Sequence, residues 1–129
     1  MLSDHNASAI VAVRDLVRAR TFYETVLGLT LVDGGGADAS APLVFRTGST
    51  RLVVYASEFA GTNQANAVVW GVGAAIESLS ADLKRKGVVF ETYDMDGATV
   101  SDRVYRLGDF RMAWFKDPDG NILHINSGD

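Results

Sequence analysis

Few residues in this chain can carry chemistry. There are two histidines, His5 and His124, and no cysteine, so disulfides, thiolate metal sites and a cysteine nucleophile are excluded. His5 belongs to the N-terminal stretch Met1-Leu2-Ser3-Asp4-His5-Asn6, which is expected to fray. His124 lies in the apolar run Ile122-Leu123-His124-Ile125-Asn126. An imidazole in such a strand has three readings. It can be a hydrogen-bonded wall of the core or of a cleft, a donor that orients a ligand, or a general base, because a pKa of about 6.5 suits proton transfer at neutral pH. No second acid or nucleophile stands beside it.

Other side chains offer binding rather than bond-making. Trp70, Trp114, Tyr55 and Phe110 could line a cleft for an apolar or aromatic ligand, or simply pack as core. Arg51, Arg103, Arg106 and Arg111 could clamp an anion, with surface solvation as the plainer role. Asp94-Met95-Asp96-Gly97 matches a fragment of a calcium loop but lacks the later ligands and the bidentate glutamate. Gly34-Gly35-Gly36 does not open a helix in dinucleotide or phosphate-loop spacing and reads as a flexible flap.

The elements that must position these residues follow from pattern. Arg111 to Lys116 and Ile122 to Asn126 flank Asp117-Pro118-Asp119-Gly120-Asn121, a hairpin signal in which Pro118 presets φ and Gly120 permits a positive one. Ser8 to Val13 reads as a buried strand, and Asp15 caps a helix whose apolar residues run from Leu16 to Leu27 and which Gly28 stops. Leu29 to Val32 is a short strand; Leu43 to Thr47 and Arg51 to Ala56 form a hairpin around Gly48-Ser49-Thr50. After a polar connector from Glu58 to Asn66, Ala67 to Val72 is a strand, and Ile76, Leu79 and Leu83 trace a helix face that ends at Gly87. Val88 to Thr92 reads as a strand and Tyr93 to Phe110 as a long irregular segment. Ser8 and Ala67, Val13 and Val72, and Gly28 and Gly87 match at the same separation, so a strand–helix–strand–strand–strand unit occurs twice. Each copy is too small to bury its apolar face alone.

Composition sets the outer bounds. The chain has 129 residues, 47% of them hydrophobic, enough for one domain with a real core. Its net charge is −4 and it has no basic run, so no nucleic-acid partner is expected. No signal-peptide pattern and no apolar run of membrane length are present, which points to a cytoplasmic protein with no membrane partner.

Asp15-Leu16, Phe22-Tyr23, Leu27-Gly28-Leu29 and Phe115-Lys116-Asp117-Pro118-Asp119-Gly120-Asn121, set in a duplicated βαβββ unit, resemble the vicinal-oxygen-chelate superfamily. That group includes glyoxalase, extradiol dioxygenases, fosfomycin-resistance transferases and bleomycin-resistance proteins. The resemblance implies an α+β fold: a single domain over residues 1–129 built of two tandem βαβββ modules, 7–58 and 66–127, forming curled mixed sheets around a cleft. It also implies a homodimer. Metal-using members hold a divalent ion on His, Glu or Gln from the first and last strands of each module. Those positions fall here on Ser8, Leu52, Ala67 (Val68 if the register slips by one) and His124. A catalytic divalent site needs at least three protein ligands, and serine, leucine and alanine do not supply them. No metal and no other cofactor is therefore expected.

With those positions facing the cleft, Ser8, Ile10, Ala12, Leu52, Val54, Ala67, Val69, Ile122 and His124 share one face. The ligand-binding candidates are Ser8, Leu52, Tyr55, Ala67, Trp70, Trp114 and His124, and His124 is the one catalytic candidate. The function implied is metal-free binding of a small organic molecule, such as sequestration of a toxic or aromatic compound. The alternative is a glyoxalase-like lyase or isomerase that uses His124 as proton-transfer group. A third reading is a scaffold or regulatory domain whose cleft has lost its chemistry.

Overall fold

The structure is a computed structural model that describes residues 1–129. The chain divides into two compact units, Met1–Thr62 and Asn63–Asp129, with the division inside the polar connector.

The first unit contains β1 (Ala9–Val13), α1 (Leu16–Arg20) continued by a π-helical turn over Thr21–Val26, then β2 (Thr30–Asp33), β3 (Leu43–Thr47) and β4 (Thr50–Ala56). Asp15 starts the helix by accepting from the backbone N–H of Val17 at 2.9 Å and of Arg18 at 3.2 Å. Gly28 ends the segment at φ 76°, a conformation that costs a Cβ-free residue little. The sheet order is β1-β4-β3-β2, with β1 parallel to β4 and the remaining pairs antiparallel. Strand alternation puts Val11, Val13, Leu43, Phe45, Leu52 and Val54 on one face, where they are buried with Ala19 and Tyr23 of the helical segment. The Tyr23 and Phe45 rings lie 6.0 Å apart across that contact. The other face carries Ile10 paired with Val53 and Ala12 paired with Tyr55, and Ile10 is 60% exposed.

The second unit contains β5 (Asn66–Gly71), α2 (Ile76–Arg85), β6 (Thr99–Ser101), β7 (Val104–Leu107), β8 (Phe110–Lys116) and β9 (Ile122–Asn126). Its order is β5-β9-β8-β7-β6, with β5 parallel to β9. Two local expectations change. The strand expected over Val88 to Thr92 is reduced to a single bridge between Phe90 and Phe115. The segment from Tyr93 to Phe110, expected to be irregular, holds the β6–β7 hairpin. That hairpin turns through Asp102 and Arg103, at φ 51° and 67°. Two-residue turns with positive φ at both positions usually announce themselves by Asn-Gly or Asp-Gly, and here the glycine is missing.

Both sheets are mixed and both accompany helices, but the expectation of sheets curled around a cleft is corrected. Each sheet is open, with β1 and β2 as the edges of the first and β5 and β6 as those of the second, and neither closes or curls strongly. Neither sheet pairs its two edge strands with each other, so neither forms a barrel. Each sheet instead buries one face under its own helix. No helix is long and apolar enough to cross a membrane.

Candidate ligand-binding site around His124 and Trp114

The hairpin that carries His124 is held by its turn. The Asp117 carboxylate accepts from the backbone N–H of Asp119 and of Asn121, both at 2.9 Å, and from the Asn121 side-chain amide at 2.7 Å. Gly120, at φ 91°, lets the chain return. The resulting register pairs Trp114 with His124 and Met112 with Asn126. Period-two alternation then places Trp114, Met112, His124 and Asn126 on the sheet face away from α2. Tyr105 joins them across the β7–β8 pair.

Aromatic packing fills this face. The imidazole of His124 stacks on the Trp114 indole with centroids 4.7 Å apart and planes 22° from parallel. Tyr93 and Tyr105 meet the same indole edge-on at 5.4 and 5.5 Å. The Tyr105 hydroxyl accepts from the Tyr93 backbone N–H at 2.6 Å. Tyr105, Met112 and Trp114 form a buried cluster against which Met95, Ala98 and Ile122 pack.

Both ring nitrogens of His124 are engaged. Nδ1 lies 3.1 Å from the Ala113 carbonyl oxygen, so it must carry the proton and donate. Nε2 lies 3.2 Å from the Asn126 side-chain nitrogen and accepts from it. The Asn126 amide is oriented by its own oxygen, which accepts from the Gly128 N–H at 2.9 Å. The Gly128 carbonyl in turn accepts from Gly73 N–H at 2.8 Å, tying the tail to the segment after β5. Burial pushes the His124 pKa below the ordinary value of 6.5, and the bond to Ala113 offsets this only in part. The ring is therefore a neutral, fixed imidazole at pH 7. Burial, and then the Glu91 carboxylate, push the Tyr93 phenol pKa upward, so that group stays protonated too.

The face is open on its β5 side. Val69 pairs with His124 in the parallel β5–β9 ladder and is 58% exposed. An exposed apolar wall thus borders a buried aromatic cluster.

Of the candidates named from sequence, the structure brings Trp114 and His124 together. Trp70 pairs with Ile125 and so lies on the opposite face of the second sheet. Ala67 falls at a register break between the Asn66–Ile122 and Val68–Leu123 pairs. In the first unit Ser8 is exposed just ahead of β1, Leu52 is wholly buried beneath the helix, and Tyr55 is on the other face, 38% exposed. The grouping of Leu52 and Val54 with Ile10 and Ala12 is corrected, because Leu52 pairs with Ala9 and Val54 with Val11. A one-residue offset in register sends every side chain of a strand to the other face. Sequence reading passed over Asn126, Met112, Tyr93 and Tyr105 as site residues. Asn126 was within reach of it, two residues from His124 on one strand; Tyr93 and Tyr105 depend on a hairpin that has no glycine signal.

The donor set does not fit the divalent ion of the metal-using proteins. No three His, Cys, Asp or Glu side chains come together in a way that could hold an ion. His124 is the sole imidazole of the site, and both its nitrogens are already bonded.

Known structures share this architecture. FosX, a genomically encoded fosfomycin resistance protein from Listeria monocytogenes, superposes with a TM-score of 0.71 at 12% identity, covering 97% of this chain and 93% of that one. A glyoxalase family protein from Enterococcus faecalis gives 0.69 at 20% identity, covering 98% and 99%. An integron cassette protein from the mobile metagenome of Halifax Harbour Sewage Outfall gives 0.68 at 18% identity, covering 95% and 97%. At these identities the likeness concerns the fold. No curated protein sequence matches the chain. A family model matches residues 4–125, nearly the whole chain, and with it the chain belongs to the Glyoxalase/Bleomycin resistance protein/Dioxygenase superfamily.

Proposed function

We propose that this protein binds a small apolar or aromatic organic molecule without a metal ion, on the sheet face bordered by Val69, Trp114 and His124. The observation that carries the reading is the saturation of His124. Its ring is stacked, neutral and bonded at both nitrogens, which suits a wall and leaves neither a ligand lone pair nor a proton acceptor in hand. Aromatic walls with few polar groups favour flat, weakly polar ligands. A FosX from Listeria monocytogenes was solved with Mn(II) and 1S,2S-dihydroxypropylphosphonic acid. The present chain offers no comparable trio of donors, so sequestration of a compound fits its residues better than metal-assisted chemistry.

One observation favours a second reading. The lowered His124 pKa keeps the imidazole in its basic form at neutral pH. A lyase or isomerase reaction would then require Nε2 to exchange Asn126 for the substrate proton. The two readings part on whether a bound compound is recovered unchanged.

Thermal-shift screening of the full chain against aromatic metabolites and thiol conjugates tests the proposal, since a ligand at 100 times its Kd adds about 2.7 kcal/mol of stability. Val69→Lys puts a charge on the exposed wall of an edge strand, where the fold tolerates it. The expected result is at least a roughly tenfold loss of affinity for any compound that binds the wild type. Undiminished affinity in this variant would remove the site from this face.

A further inference from the structure

On the helix side of the second sheet, α2 and the β6–β7 hairpin border a partly open pocket of about 230 Å³ that has no part in the site above. Its charges do not balance. Lys84, Arg106 and Arg111 line it against only two carboxylates, Glu77 and Asp102. Arg111 holds Glu77, with Nη1 2.6 Å from Oε1, and this bond keeps the Glu77 carboxyl below the ordinary carboxylate range. Lys84 holds Asp102, with Nζ 3.1 Å from Oδ1, and also donates to the Asp102 backbone carbonyl. Arg106 is left over. It sits directly across the β7–β8 ladder from Arg111, like charge opposite like charge, and feels Glu77 only at longer range.

A second, independent observation marks the same pocket. Ser80 of α2 is 1% exposed and its hydroxyl has no hydrogen-bond partner. A serine within a helix either faces solvent or bonds back to the carbonyl four residues earlier, and this one does neither. A buried hydroxyl without a partner costs about 1–3 kcal/mol. Thr99 and Ser101 of β6 line the pocket with hydroxyls from the other side.

We propose that this pocket is a binding site for a single phosphate group, taken as inorganic phosphate or as the phosphate of a small monoester, with Arg106 as its charge partner and Ser80 as a buried donor. The donors come from a helix and from two different strands. A tetrahedral oxyanion accepts from several such directions, whereas a carboxylate offers its lone pairs in one plane. The volume, about 230 Å³, lies below the range of about 300 Å³ and upward found for larger organic ligands, in keeping with a small ligand.

Calorimetric titration of the full chain with sodium phosphate, against sodium chloride at matched ionic strength, tests this. A parallel titration with phenyl phosphate separates the two sources. The expected result is saturable one-to-one binding of phosphate, phenyl phosphate or both, with no chloride counterpart. Arg106→Gln should lose about tenfold or more in affinity. Ser80→Ala should bind severalfold more weakly while its melting temperature stays at or above that of the wild type, because the orphan hydroxyl is gone. Absence of saturation by either compound up to about 10 mM would overturn the proposal. So would full wild-type affinity in Arg106→Gln.

Discussion

His124 gains its character from its neighbours. The Ala113 carbonyl fixes the proton on Nδ1, the Asn126 amide occupies Nε2, and the Trp114 indole covers one face of the ring. Burial lowers its pKa, so the unfolded chain binds a proton on this residue more readily than the folded one. Stability attached to the neutral ring is therefore complete above the ordinary value of 6.5 and is lost as pH falls from there through the lower folded value. Melting temperature measured against pH should show that loss in the wild type. The loss should be absent in His124→Phe, whose ring can keep the stack on Trp114 but has nothing to titrate. Parallel profiles for the two proteins would mean that the imidazole is not desolvated as described.

Among the elements, the two hairpins of the second unit show what local sequence can and cannot reveal. The β8–β9 hairpin was legible because Asp117, Gly120 and Asn121 each have a local job: bonding the turn's own backbone or supplying positive φ. From that turn the Trp114–His124 pairing follows, and Asn126 with it. The β6–β7 hairpin was not legible, because Asp102 and Arg103 adopt left-handed φ without the residue that makes it cheap. Its strands are held by pairing to β8 and by the Lys84–Asp102 ion pair, both tertiary effects. Arg103→Gly should accordingly stabilise the protein by about 1 kcal/mol in urea unfolding, by relieving φ 67°. A destabilised variant would show that Arg103 makes a contribution that outweighs its backbone cost. In the first unit, the strands and the Asp15 cap were legible, but the face of Leu52 was not. The helical segment, β2 and β3 all lie between β1 and β4 in the chain, so no turn residue records the register of their parallel pairing.

For the molecule as a whole, the repeated order of strands and helix was readable from matched glycine stops and apolar runs, whereas the curvature of the sheets was not. Side-chain period says which residues share a strand face; strand number and edge pairing decide whether a sheet closes, and both sheets here stay open. Membership of the superfamily follows from the match over residues 4–125. What distinguishes this member is its donor set. No three His, Cys, Asp or Glu side chains gather to hold an ion, and the one histidine of the site has both nitrogens already bonded. A binder of this kind should work with metal removed. The most direct check is the affinity of the strongest compound from the thermal-shift screen, measured by tryptophan fluorescence on the full chain before and after exhaustive dialysis against chelator, with recovery of the compound by mass spectrometry. The expected result is the same affinity in both samples and an unaltered compound. Affinity that disappears with chelator and returns on adding one equivalent of a divalent ion would contradict metal-free binding.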